Sequence, residues 1–141
     1  MFAALKTIQG KNPNVAISLT LPVMPWGLTN EGQAVVKRAA ATGLKFQVNI
    51  MAMDYGGSQY AGAAGQQGDN AIAAGTALAT FLKTVWTDKT EAQVYNSIWI
   101  CPMIGVNDVQ DETFTLADAV KLRNWGVTKG VAGLTMWSVN R

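Results

Sequence analysis

Histidine is absent from this 141-residue chain, which removes imidazole acid–base catalysis and histidine-based zinc sites together. Cysteine occurs once, at Cys101 in an apolar run, so no disulfide closes within the chain and a small buried thiol is expected. Charge is scarce too: Asp, Glu, Lys and Arg make up 14% of the residues, against about 25% in an average domain. The 11 basic and 9 acidic side chains leave a net charge of +2 and form no basic cluster, so nucleic acid is not an expected partner. No apolar run reaches the roughly 18 residues of a membrane span. The start, "MFAALKTIQGKNPN", has no charged leader before a sustained apolar core, so neither a membrane partner nor a secretory signal is expected. Nucleotide and serine-hydrolase signatures are missing as well: G-x-G-x-x-G opening a helix after a strand, G-x-x-x-x-G-K-[ST] and G-x-S-x-G.

What is present is apolar, at 49% of residues, and the length suits one domain spanning 1–141. Four β-branched or apolar runs read as buried strands: "NVAISLTLPV" from Asn14, "LKFQVNIMAM" from Leu44, "IWICPMIGV" from Ile98 and "GVAGLTMWSV" from Gly130. Helical spacing separates them. "TNEGQAVVKRAAATG" has Thr29 or Asn30 as N-cap and Gly43 as its stop, and "DNAIAAGTALATFLKTVWT" follows an Asp69 or Asn70 cap. "TFTLADAVKLRNWG" sets Thr115 before Asp118 at capping spacing and ends at Gly126. Strands alternating with helices predict an α/β fold on a parallel sheet. A closed eight-stranded barrel takes about 250 residues, so four such units amount to half of one.

The candidate chemistry lies at strand ends. "FQVNIMAMDYGG" runs from apolar alternation into Asp54 and Tyr55, where a parallel barrel puts its chemistry. An acid there calls for a partner, a ligand or exposure, while a plain turn residue is the other reading of Asp54. Trp137 ends the fourth strand and Trp26 follows the first within "PVMPWG"; an indole offers a flat apolar face and one N–H donor, and core packing is the alternative for Trp137. Trp86, Trp99 and Trp125 read as packing residues. The glycine-rich "DYGGSQYAGAAGQQG" is an active-site loop or a surface loop. Asn107, Asp108, Asp111 and Glu112 in "GVNDVQDE" read as a solvated acidic loop, with a metal or sugar hydroxyl as the alternative.

Taken together, "VNIMAMDYGG", "PMIGVNDVQDETFTLADA" and "GLTMWSVNR" resemble the carboxyl-terminal half of a bacterial chitinase of glycoside hydrolase family 18, over essentially the whole chain. The resemblance implies strands five to eight of a (β/α)8 TIM barrel, with "NVAISLTLPVMPWGL" as the fifth. It implies that Met51 and Asp54 match the first and last positions of the sixth-strand M-x-Y-D pattern, Asp54 in a supporting catalytic role. Met53 stands where the family's tyrosine usually does, and Tyr55 is the candidate for that hydroxyl. Trp137 matches the eighth-strand tryptophan that floors the cleavage subsite, and Trp26 is a candidate second platform. Family members hydrolyse β-1,4-linked N-acetylglucosamine polymers with the substrate's acetamido oxygen as nucleophile, use no cofactor or metal here, and are usually secreted. Their D-x-x-D-x-D-x-E segment, which carries the general acid, has no counterpart in this chain. The expectation is therefore a half-barrel that binds chitin or chito-oligosaccharide, is inactive alone, and is completed by a second copy or a missing amino-terminal half. A non-catalytic carbohydrate-binding domain and a self-assembling scaffold are the alternatives.

Overall fold

Along Gln47–Ala52 every second residue is buried: Val48, Ile50 and Ala52 go under, while Gln47, Asn49 and Met51 stay partly open. Such period-two burial makes a strand with one covered face, and it is the centre of the molecule. The computed structural model describes residues 1–56, 66–109 and 111–140. In chain order the elements are α1 (Phe2–Lys11), β1 (Ser18–Met24), β2 (Gly27–Leu28), α2 (Asn30–Ala41), β3 (Gln47–Ala52), α3 (Gln66–Val85), α4 (Glu91–Tyr95), β4 (Ile98–Pro102), β5 (Gly105–Val106), β6 (Thr113–Phe114), α5 (Leu116–Lys129) and β7 (Gly133–Leu134). Among the described residues no helix is long and apolar enough to cross a membrane.

The main sheet has the order β2-β1-β3-β4-β7. β1, β3, β4 and β7 run parallel, with Leu21 beside Ile50, Ile50 beside Ile100 and Ile100 beside Leu134. The fold is α/β with a mixed sheet, because β2 turns back antiparallel against the end of β1 and β5–β6 form a separate antiparallel pair. The turn into β2 relies on Gly27 at φ 124, a backbone conformation that a side chain would strain. One face of the sheet buries Val23, Val48, Ile50, Ile98 and Ile100 with Val36 and Ala39 of α2, Leu78 and Leu82 of α3 and Leu122 of α5.

Two of the three helix starts agree with the capping chemistry, whereas α3 begins at Gln66 and takes the expected caps Asp69 and Asn70 into the helix. The Thr29 side chain accepts from Gly32 N, and Thr115 forms a capping box with Asp118. Other boundaries differ too: the second strand starts at Gln47 rather than Leu44, and the third ends at Pro102, the last two residues of its run, Gly105–Val106, pairing elsewhere. Gly126 is buried inside α5, and the helix ends instead on Gly130, whose φ of 72 gives the left-handed cap. The first strand begins at Ser18 rather than Asn14; α1 precedes it, and Gln47 N donates to Ile17 O just ahead of the strand. The fourth strand is regular only at Gly133–Leu134; its hydrogen bonds continue irregularly, Thr135 N to Ile100 O and Trp137 N to Pro102 O. It lies at the sheet edge, and its Leu134, Met136 and Trp137 are exposed rather than buried.

Candidate functional site

Parallel strands bring their carboxyl ends to one edge, and the candidate residues gather there. Ala52 pairs with Pro102, and one residue farther Met103 bridges to Trp137. Met51 belongs to the uncovered face of β3, Met53 follows the strand's last residue, and both are half-buried. Trp137 is 55% exposed and Trp26, beyond β1, is 63% exposed. Strands β3 and β4 separate β1 from β7, and three strand spacings amount to about 14 Å. Two open indoles thus flank a pair of methionines and an acid.

Asp54 leaves the strand at φ 48, the one non-glycine positive φ among the described residues, a conformation that costs a side-chain-bearing residue about 1–3 kcal/mol unless its surroundings enforce it. Polar contacts enforce it here. Asp54 N donates to Asn107 Oδ1 at 3.3 Å, and Asp54 Oδ1 accepts from Val109 N at 3.0 Å. The next two amides, Tyr55 N and Gly56 N, donate to Glu112 Oε2 at 3.1 Å and Oε1 at 2.8 Å. Glu112 is fully buried, so both carboxylate oxygens are satisfied by backbone donors instead of water. Asn107 is itself fixed, donating from Nδ2 to Met103 O at 3.0 Å and Gly105 O at 3.3 Å.

Hence "GVNDVQDE" is only half the solvated acidic loop expected of it: Asp108 and Asp111 are exposed, while Asn107 and Glu112 turn inward. Asn107 is 4% exposed and Glu112 0%, and both hold the 54–56 turn. The missed signal is alternation: Glu112 and Phe114 are both buried on either side of half-buried Thr113, a period-two pattern that sends the acid inward with the aromatic. Tyr55 turns the opposite way from Asp54. Its ring is 5% exposed in the apolar core, and burial, helped by the nearby Glu112 carboxylate, pushes the phenol well above its ordinary range. The hydroxyl proposed to stand in for the one expected at Met53 therefore sits under the sheet end. Residues 57–65 of the glycine-rich loop lie outside the described residues.

Below the strand ends the uncovered face is polar and self-paired. Trp99 Nε1 donates to Gln47 Oε1 at 2.8 Å, Thr135 Oγ1 to Asn49 Oδ1 at 3.2 Å, and Asn49 Nδ2 reaches Thr20 Oγ1 at 3.5 Å. Trp99 lies across Gly133, where a Cβ would run into its ring. A cleft of about 450 Å³ lies elsewhere, between α1 and the amino ends of β1 and β3, lined by Lys6, Gln9, Pro13 and Phe46 among others. It contains none of the candidate residues, and the chemistry rather than cleft size selects the carboxyl edge.

No family model matches the chain. It is 37% identical over 147 aligned residues to Endochitinase 11 of Metarhizium anisopliae, covering 98% of this chain and 28% of that protein. It is equally 37% identical to a probable bifunctional chitinase/lysozyme of Escherichia coli, covering 98% of this chain and 16% of that one. Among solved structures, the catalytic domain of a hyperthermophilic chitinase from Pyrococcus furiosus superposes with a TM-score of 0.87 at 33% identity, over 100% of this chain and 45% of that chain. Catalytic-site mutants of active domain 2 of the thermostable chitinase from the same organism, complexed with chito-oligosaccharides, match with a TM-score of 0.88 over the same shares. The chain thus spans less than half the length of each of these proteins. Its likeness is not confined to bacteria.

Proposed function

We propose, from the premise that this chain is a homologue of chitinases along its whole length, that it forms one wall of a chito-oligosaccharide site. In this reading it is the strand-five-to-eight half of a family 18 (β/α)8 barrel, with β1, β3, β4 and β7 as those strands. Met51 and Met53 line the wall, Trp137 stacks on a sugar ring, Trp26 offers a second platform, and Asp54 hydrogen-bonds the N-acetyl group whose oxygen acts as nucleophile in this family. Tyr55 contributes by shaping the turn beneath Asp54. The observation that carries the reading is the exposure of Trp137 at the same strand edge as Asp54, whose backbone is held at φ 48.

The general-acid segment is not in this sequence, and loss of a general acid commonly costs about 10²- to 10⁴-fold in rate. The chain alone therefore binds without appreciable turnover. The test is a tryptophan-fluorescence titration with the N-acetylglucosamine tetramer, on the parent chain and on Trp137→Ala, with product analysis. A saturable signal lost in the variant supports the reading; an unchanged signal in Trp137→Ala, or none in the parent, refutes it, and products scaling with protein would refute inactivity. The pair of exposed tryptophans also favours a second reading, a purely carbohydrate-binding domain; supplying an amino-terminal barrel half in trans separates the two, since products are expected only if this chain is a half-barrel.

A further inference from the structure

We infer that Glu112 is a positioning residue for Asp54. The inference deepens the sugar-site reading and rests on it for the ligand, while the positioning itself stands on the geometry. A buried carboxylate needs a reason, and the two bonds it accepts are both from the residues that follow Asp54. Holding Tyr55 N and Gly56 N by two oxygens of one planar group fixes the direction in which the chain leaves position 54. A carboxylate is the side chain suited to this: it offers two acceptors to two converging N–H groups, and it adds charge to both bonds. Asp54 is left with φ 48 and with its own Oδ1 taken by Val109 N. Glu112 N in turn donates to Val109 O, and Asn107 N to Glu112 O, so the segment that clasps the turn is the one that receives the Asp54 side chain. The clasp therefore sets both the backbone and the carboxylate of Asp54.

A second buried acid supplies the control. Asp118 accepts from Gly68 N at 2.7 Å and from Thr115 N at 2.8 Å. It does the same kind of structural work away from Asp54, so a loss that is merely structural would follow from either acid.

The experiment compares the parent chain with Glu112→Gln, Glu112→Asp and Asp118→Asn by amide hydrogen exchange, by the Asp54 side-chain carboxyl resonance, and by affinity for the N-acetylglucosamine tetramer. Glu112→Gln keeps the shape but turns an amide N–H₂ toward a backbone N–H. It is expected to speed exchange at Tyr55, Gly56 and Val109 at least tenfold, to move the Asp54 resonance, and to weaken the tetramer about tenfold. Glu112→Asp, one methylene shorter, is expected to fall between, and decides the matter if the glutamine variant does not fold. Asp118→Asn is expected to leave those amides and the Asp54 resonance in place. Folded Glu112 variants with an unmoved Asp54 resonance and protected Val109 overturn the inference, as does an equal response to Asp118→Asn. If the parent does not bind the tetramer, the sugar-site reading falls, and the amides and the carboxyl resonance still decide the positioning.

Discussion

Tyr55 and Gly133 show how much a single position decides. The Tyr55 phenol is raised above its ordinary value of 10.0 by burial first and by the Glu112 carboxylate second. A folded-state value above the unfolded one means that the folded protein holds this proton longer. Its contribution to stability is full below about pH 10 and is lost as pH rises through the folded value, with a slope of up to about 1.4 kcal/mol per pH unit. In a spectrophotometric titration, Tyr55→Phe should therefore leave the tyrosinate signal of the folded protein unchanged near pH 10, and it should flatten the alkaline loss of stability; a parent-specific tyrosinate component at pH 10 would contradict this. Gly133→Ala drives a methyl into the Trp99 ring and should cost about 1–3 kcal/mol, read from the urea midpoint, with a shifted indole emission as Trp99 leaves Gln47. At this scale the sequence put Asp54 and Trp137 at strand ends, and the structure has both at one edge of the sheet. The order of residues half-concealed Glu112, because the alternation with Phe114 marks an inward acid but not its partner, a turn more than fifty positions earlier.

Elements were legible where local chemistry decides them and obscure where distant contacts do. Thr29, Thr115 and Gly43 mark their helix ends by side chain or glycine conformation alone. Helix α1 buries no residue completely, and so has no strong apolar stripe to read. It is held by Gln9, whose side chain exchanges hydrogen bonds of 2.7 and 2.9 Å with the Lys45 backbone, and by Lys6 donating to Gly43 O. Helix α4 carries a complete Thr90–Gln93 capping box but is five residues long, too short for a period to show. The α3–α5 junction yields a prediction of its own. Asp118 serves α3 through Gly68 and α5 through Thr115, so Asp118→Ala should cost about 2–3 kcal/mol by leaving a buried donor unpaired and removing half of a cap. Thr115→Ala alone should cost about 1 kcal/mol. Because the two side chains bond each other at 2.6 Å, the double variant should cost less than the sum in urea unfolding, whereas strict additivity would mean that they act independently.

For the whole molecule, the alternation of strand and helix was enough to place four parallel strands in their order. The antiparallel β2 and the β5–β6 pair were not legible, since two-residue strands carry no period. The sheet leaves Thr20, Gln47, Asn49 and Thr135 on a face over which, among the described residues, no helix packs, and we propose that a second copy covers it, closing a barrel-like whole. Light scattering across a dilution series should then show a dimer that dissociates, and a monomer at every concentration would contradict that. The central claim, a sugar wall at the carboxyl strand edge, is tested most directly by the methyl resonances of the six methionines during titration with the N-acetylglucosamine tetramer. Saturable shifts are expected at Met51 and Met53, with Met1, at the start of the chain, unmoved. Resonances of Met51 and Met53 that stay fixed while the tetramer is in excess, or that move only together with Met1, would contradict the claim.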